Sequence, residues 1–337
     1  MAEMLELFGL TLNQTRILFS IDKYLVEADI EDSKSDKKKL KREWLKNWET
    51  AILTYLKSID GTVDSLYGLY DIHEQVKAEK ENSETITWYF MIALESSIFS
   101  AYTPIDEDIK KYKTLKYSNQ IETVKNLVKV DGFIDPDYVE EMHSEYIQNT
   151  KKLQGKGNKT LVAIFSAVAV AAAAAALCAV FAGPIAVALV GGQFAGIYGA
   201  ALTSASLALL GGGALAAGGA GMAGGFAVIV GGGAVLGLAA GGATGGVLSN
   251  ALLSSPEYVV SECAKFETAF KKILIKTESA RKSTDILSAY EKSIDALEEC
   301  VQALAGRKEE KADVKKMQLS LTYMRKAYVN CLEAMKE

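Results

Sequence analysis

Apolar side chains recur at intervals of three and four residues along both ends of the chain, as in α-helices that bury one face. The pattern predicts a helix over residues 5–30, a polar turn at 31–39 and a longer second helix. In that second helix a heptad-like stripe runs over residues 45–73, and Gly61 and Gly68 interrupt it. A stripe of that length is typical of a long helix in a bundle or coiled coil.

The second most apolar stretch covers residues 85–102 and holds a single charged side chain, Glu95. So short a stretch with a charge usually forms a core helix, and an accessory membrane-contacting element is the alternative. Pro104 is expected to end this helix, and a charged helix is predicted over 105–130. A turn then leads into a helix that begins at Pro136 and continues to residue 153.

The C-terminal region opens with a strong helix start, in which Ser255 is a capping residue, Pro256 the first helical position and Glu257 an acid in the first turn. Three apolar stripes with helical spacing follow, and Gly306 separates the second from the third. The predicted fold class is therefore all-α, an elongated helical bundle or coiled coil. We expect an N-terminal bundle over residues 1–150 and C-terminal helices over 257–337 that pack on it.

Between these two regions the hydrophobic pattern changes, and we call residues 160–256 the uncharged segment. It contains no Asp, Glu, Lys, Arg or His in 97 residues, and it holds 21 of the 28 glycines. A soluble domain can bury one uncharged helix of about 20 residues but hardly several in a row. The uncharged segment is therefore predicted to be a Gly/Ala-rich transmembrane helical insert, long enough for three to four spans of about 20 residues each.

Small residues at four-residue steps run through the uncharged segment. In lipid such spacing lets two helix backbones approach closely, so we expect tight helix packing within one chain or between copies. The glycines predicted to form these contacts are Gly192, Gly196, Gly221, Gly225, Gly233, Gly237, Gly241 and Gly245.

A basic hinge over residues 151–159 forms the N-terminal border of the uncharged segment, and its lysines are Lys151, Lys152, Lys156 and Lys159. Positive side chains next to a span favour the cytoplasmic side of a membrane. If both flanking regions are cytoplasmic, the number of spans is even, either two or four. The N-terminus lacks the features of a secretory signal, and four cysteines without a CxxC pair fit a reducing compartment. The expected location is the cytoplasmic membrane, with a soluble cytoplasmic form before insertion.

Composition and motifs exclude several other classes. A net charge of -5 argues against a nucleic-acid-binding protein. The GxGxxG match at residues 219–224 is rejected as a nucleotide site because no acid follows it before Glu257. His73 and His143 lie on different predicted helices, and packing or a solvated helix face explains them better than metal binding. We expect neither enzymatic activity nor a cofactor or metal.

The order of helical bundle, long hydrophobic insert and second helical region resembles the α-helical pore-forming toxins of the cytolysin A type, including tripartite enterotoxin components. The resemblance is architectural, and it depends on the uncharged segment and on the striped helices 45–73 and 287–304. It implies a soluble form that hides the insert and an oligomer that spans the membrane. No family motif is present, so no functional residue is carried over, and the insert is longer and richer in glycine than a two-helix head.

The sequence thus predicts a membrane-inserting effector that forms pores or depolarises a membrane, either a toxin or an intracellular antiviral suicide effector. The absence of acidic and basic side chains from the insert favours a non-selective pore over a tuned channel. The alternative is a constitutive integral membrane protein with a cytoplasmic helical scaffold or sensor domain. The expected partners are the lipid bilayer and further copies of the chain, with a protein that controls activation as another candidate.

Overall fold

The computed structural model describes residues 10–59, 61–99, 101–102, 112, 114–155, 256–304 and 311–336. Within these ranges every regular element is helical, which confirms the predicted all-α class. The chain divides into two compact units. We call the described residues 10–145 the N-terminal unit, and residues 146–155 together with 256–336 the C-terminal unit.

The helices of the N-terminal unit follow one another with short connections, except before the fifth. They are α1 (Leu12–Glu31), α2 (Ser35–Ile59), α3 (Leu69–Asn82), α4 (Thr87–Ile98), α5 (Gln120–Asp131) and the first part of α6 (Pro136–Gln154). Helix α1 begins with a capping box, in which Thr11 Oγ1 accepts from the Gln14 amide at 3.2 Å and Gln14 Oε1 accepts from the Thr11 amide at 3.0 Å. This reciprocal pair satisfies two amides that the first helical turn leaves without partners.

The single helix predicted over residues 45–73 is wrong, because the chain forms two helices there. Helix α2 ends at Ile59, α3 begins at Leu69, and Gly68 is the N-cap of α3 in an extended conformation. Glycine costs about 1 kcal/mol relative to alanine inside a helix, so Gly61 and Gly68 together favour a break. Val63 and Leu66 lie in the connection and are still buried, which explains why the apolar stripe continues across it.

The apolar stretch 85–102 forms α4, and its side chains lie in the core as the core-helix interpretation predicted. The helix ends at Ile98, well before Pro104, which lies outside the described residues. The charged helix predicted over 105–130 is also too long, since residues 114–119 are not helical and α5 begins at Gln120. The predicted helix start at Pro136 is confirmed.

Aromatic side chains fill the centre of the N-terminal unit beneath α2. Trp44 and Trp48 are fully buried and stack with their ring centroids 6.1 Å apart. Phe19 from α1 meets Trp48 edge-on, Phe99 packs against both indoles, and Tyr102 meets Trp44 edge-on. The unit is therefore held by one aromatic cluster that joins α1, α2 and the residues after α4.

The C-terminal unit contains the end of α6, a helix that immediately follows the uncharged segment, and two long helices. They are α7 (Pro256–Ala269, continuing as π-helix Phe270–Leu274 and α-helical Ile275–Thr277), α8 (Ala280–Leu304) and α9 (Lys311–Ala334). The helix start at Pro256 agrees with the sequence prediction, and Gly306 lies outside the described residues. Helix α7 packs on α9, and α8 packs on α9 as well.

In the part of the chain that the structure describes, no helix is both long enough and apolar enough to cross a membrane. The uncharged segment, apart from Pro256, lies outside the described residues, and so do the eight glycines predicted to pack its helices.

Candidate functional site at the borders of the uncharged segment

The helices that precede and follow the uncharged segment contact each other within the C-terminal unit. The hydroxyl oxygens of Tyr146 on α6 and Ser261 on α7 lie 2.9 Å apart, and both residues are buried. Asn149 Nδ2 donates to Thr268 Oγ1 at 3.1 Å, again between two buried side chains. Both ends of the uncharged segment therefore emerge from the same folded unit.

Helix α7 is enclosed on all sides from Val259 to Phe270, where every residue is buried. Its buried side chains include two of opposite charge, Glu262 and Lys265, each 3 % exposed and joined by a 2.9 Å ion pair. Charged groups are costly to bury unless they are paired. The first helix after the uncharged segment thus has two charged side chains in the core, and they pair with each other within one helical turn.

A second buried acid on α7 links this helix to α9. The Glu267 side chain is fully buried, and it accepts hydrogen bonds from Lys271 Nζ at 2.5 Å and from Asn330 Nδ2 at 3.0 Å. The π-helical turn Phe270–Leu274 begins just beyond it, and Lys271 lies within that turn. Such π-turns are rare and frequently occur at functional positions of helices.

Two buried cysteines flank this acid, one on α7 and one on α9. Cys263 Sγ lies 3.3 Å from the hydroxyl of Tyr290, whose ring stacks on Phe266 with centroids 4.1 Å apart. Burial raises the pKa of the Cys263 thiol, and burial likewise raises the pKa of Cys331. The thiolate is the reactive form of cysteine, so both side chains are held as neutral packing groups.

Of the four border lysines predicted from the sequence, the structure describes Lys151 and Lys152. Both are exposed on the last turn of α6, where cations interact favourably with the helix dipole. Gly155 follows with φ +77°, the left-handed conformation that commonly ends helices. Lys156 and Lys159 lie outside the described residues, so the structure brings together only two of the predicted site residues.

Sequence reasoning missed a buried cluster in the N-terminal unit that centres on Asp29. Its carboxylate accepts hydrogen bonds from Lys41 Nζ and the Tyr102 hydroxyl, and from the backbone amide and hydroxyl of Ser118 at 3.2 Å each. Tyr102 has φ 65°, which is uncommon for a residue with a large side chain. The cluster ties both ends of the long connection between α4 and α5 to α1.

A second missed cluster joins α3, α4 and α5. His73 Nδ1 lies 2.6 Å from Asp131 Oδ1, and the Tyr89 hydroxyl donates to Asp131 Oδ2. Burial raises the pKa of Tyr89, and the neighbouring carboxylate raises it further. His73 is thus an interior partner of an aspartate on α5. Partly buried His143 has a lowered pKa, chiefly because burial disfavours its charged form, so the solvated helix face predicted for it is only partly correct.

Among the described residues, no group of three or more His, Cys, Asp or Glu side chains could hold a metal ion. No family model, curated protein or solved structure matches this chain. The likeness to α-helical pore-forming toxins therefore stays a proposal based on the order of regions along the sequence.

Proposed function

We propose that this chain is a membrane-inserting effector that perforates or depolarises a bilayer. The action is oligomeric insertion of the uncharged segment, and the two helical units stay in water. The class of protein is that of α-helical pore formers, either a toxin or an intracellular suicide effector that acts on the membrane of its own cell.

The observation that carries this proposal is the composition of residues 160–256, which include no Asp, Glu, Lys, Arg or His. A charged side chain at the centre of a bilayer costs about 3 kcal/mol on insertion scales. A segment without such side chains over 97 residues avoids this cost in several successive spans. The regions on either side carry all 37 Lys and Arg and all 42 Asp and Glu.

The contact between α6 and α7 supports an even number of spans. Tyr146 and Ser261 belong to one compact unit, as do Asn149 and Thr268. If that unit stays on one side of the membrane, a segment that leaves and re-enters it must cross the bilayer an even number of times. Exposed Lys151 and Lys152 at the exit of α6 favour the cytoplasmic side for that unit.

Dye release from liposomes tests the proposal directly. Purified protein is added to vesicles loaded with a self-quenching dye, over a range of lipid compositions and pH values. We expect release that grows more than linearly with protein concentration, because assembly of several copies precedes perforation. Failure to bind or to permeabilise vesicles of any composition or pH overturns the proposal.

Cell fractionation separates this proposal from the constitutive integral membrane protein. Recovery of the chain from the soluble fraction without detergent supports a deployable effector. Recovery from membranes alone, together with intact vesicles in the dye assay, supports the integral protein with a helical scaffold or sensor domain.

Gly233, Gly237, Gly241 and Gly245 recur at four-residue steps, and we call them the glycine ladder. They allow a matched pair of variants. Gly237→Leu with Gly241→Leu places two large side chains on the face predicted to pack, and should reduce both oligomer formation and dye release. Ala239→Leu with Ala243→Leu adds similar volume about 200° away around a helix, and should leave both readouts largely intact. Equal effects of the two double variants contradict packing through the ladder.

A further inference from the structure

Helix α7 has two faces of opposite character, and both are buried. The apolar face carries Cys263 and Phe266, which lie one helical turn apart. The opposite face is polar, because Ser261, Lys265 and Thr268 recur there at steps of four and three. An amphipathic helix normally turns its polar face to water. In α7 another helix covers that face, so the contact between the two helices is of interest.

The apolar face of α7 packs against α8 inside the C-terminal unit. The Phe266 ring stacks on Tyr290 of α8 with centroids 4.1 Å apart, and it lies 6.0 Å from the ring of Phe270. Cys263 Sγ contacts the Tyr290 hydroxyl, and α7 and α8 both pack on α9. Separation of α7 from α8 would expose large apolar side chains to water, at a cost that grows with their area.

The polar face of α7 meets the last part of α6. The Ser261 hydroxyl lies 2.9 Å from that of Tyr146, and Asn149 donates to Thr268 at 3.1 Å. Burial raises the pKa of Tyr146, and the charge of Lys265 opposes the rise, so this charge lies close to the Tyr146 hydroxyl. We call the contact the polar seam, and its members are Tyr146, Asn149, Ser261, Lys265 and Thr268.

Separation at the polar seam returns polar groups to water. Lys265 and Glu262 form a buried ion pair, and both charges gave up their hydration on burial. Among the described residues, no group donates to Asn149 Oδ1, although this side chain is fully buried. Contact with water relieves such an acceptor. Leu153 is the one wholly apolar side chain among the buried members of residues 146–155. Separation at the seam therefore costs less than separation of α7 from α8.

We propose that residues 146–154 of α6 act as a latch, which separates from α7 at the polar seam while α7, α8 and α9 stay folded. The last turn of α6 leads through the basic hinge into the uncharged segment, so this movement frees one end of that segment and leaves the other end fixed by α7. Parts of a protein open locally at lower cost than the whole when few apolar contacts hold them. The inference concerns the regulation of the proposed function and depends on it for its purpose.

The test compares two thiols on opposite faces of α7 in the full chain. Ser261→Cys places a thiol in the polar seam, and the natural Cys263 lies two positions on in the apolar face. Cys178→Ser and Cys300→Ser remove the thiols that are not compared, and mass spectrometry separates the labelled peptides. A maleimide reagent is added to the folded protein without lipid. Each rate is divided by the rate for the same site in denaturant, which corrects for the reactivity of the thiol.

The thiol at position 261 should react roughly 10-fold faster or more than Cys263 after this correction, because opening of the latch exposes only the polar face. Equal corrected rates would mean that the seam opens only when the whole unit unfolds, and would overturn the latch. Faster labelling of Cys263 would overturn it as well, since α7 would then separate from α8 first.

A second variant closes the seam with apolar groups. Asn149→Leu with Thr268→Val replaces a hydrogen-bonded pair by side chains of similar size, which should slow labelling at position 261 roughly 5- to 30-fold. The matched control is Gln148→Leu with Thr284→Val, the same replacements at exposed positions, and it should change the rate little. Circular dichroism and a thermal melt check that both variants fold. Equal rates in the two variants contradict the polar seam as the site of opening.

Dye release from vesicles of phosphatidylcholine mixed with phosphatidylglycerol keeps this inference separate from the proposed function. The closed-seam variant should release dye more slowly than its control. Selective labelling at position 261 with no dye release from any vesicle supports the latch and contradicts the proposed function. Dye release that is equal in the two variants, although labelling at position 261 is slowed in one, contradicts the latch as a regulator and leaves the proposed function intact.

Discussion

The hydroxyl oxygens of Tyr146 and Ser261 lie 2.9 Å apart in a buried contact, although the two residues are 115 positions apart in sequence. This hydrogen bond joins the helix that precedes the uncharged segment to the helix that follows it. Both ends of the uncharged segment are thus anchored in one folded unit. Substitution of either residue therefore measures how much this contact contributes to the stability of that unit.

Tyr146→Phe should lower the free energy of unfolding by about 1–2 kcal/mol, because it removes one hydroxyl and leaves the Ser261 hydroxyl buried without that partner. Urea unfolding followed by circular dichroism gives the value. The matched test is the same change in a Ser261→Ala background, where the cost should be much smaller. An equal cost in both backgrounds would contradict an energetic link between the two hydroxyls.

The helices were largely predictable because apolar periodicity reports burial directly. The errors arose where buried side chains lie in connections rather than in helices. Val63 and Leu66 are buried between α2 and α3, and Leu115 is buried before α5, so each continued a helical pattern that the backbone does not follow. Periodicity reports which side chains are inside and does not report the backbone conformation that carries them.

The buried polar contacts could not be predicted, because their partners are far apart in sequence. Asp131 lies 58 positions from His73, and Asn149 lies 119 positions from Thr268. One signal was present for the Asp29 cluster. Asp22 and Asp29 are seven residues apart on the apolar face of α1, and an acid among core positions indicates a buried partner.

Lys265→Met should destabilise the C-terminal unit strongly, by about 3–5 kcal/mol, because it leaves the carboxylate of Glu262 buried without its counter-ion. The cost should appear as a lower denaturant midpoint with an unchanged slope. The control is the double variant Glu262→Leu with Lys265→Met, which removes both charges and should recover most of the loss. A double variant as unstable as the single one would contradict the ion pair as the cause.

Cys263 and Cys331 should resist a maleimide reagent in the native protein and react fully after unfolding. Burial raises the pKa of both thiols, so neither solvent access nor the reactive thiolate is available. Mass spectrometry of labelled peptides, with and without denaturant, identifies each site in a Cys178→Ser, Cys300→Ser background. Rapid native labelling of either cysteine would contradict the enclosed position of α7 against α9.

Asp22→Asn should stabilise the N-terminal unit at neutral pH. Burial raises the pKa of Asp22 well above its usual range, Glu95 adds to the rise, and the hydrogen bond from Ser96 Oγ at 3.0 Å opposes it. A raised folded pKa means that the native state holds its proton more tightly than the unfolded chain. The wild type therefore loses stability as pH rises from about 4, the unfolded pKa, through the folded pKa.

Replacing the carboxyl by an amide removes this ionisation and keeps an acceptor for Ser96, so the gain should be absent near pH 4 and full above the folded pKa. Urea unfolding at a series of pH values measures the difference between variant and wild type. Asp64→Asn, a change of the same kind at an exposed side chain paired with Lys57, is the matched control. If both substitutions change stability with pH in the same way, burial of Asp22 is not the cause.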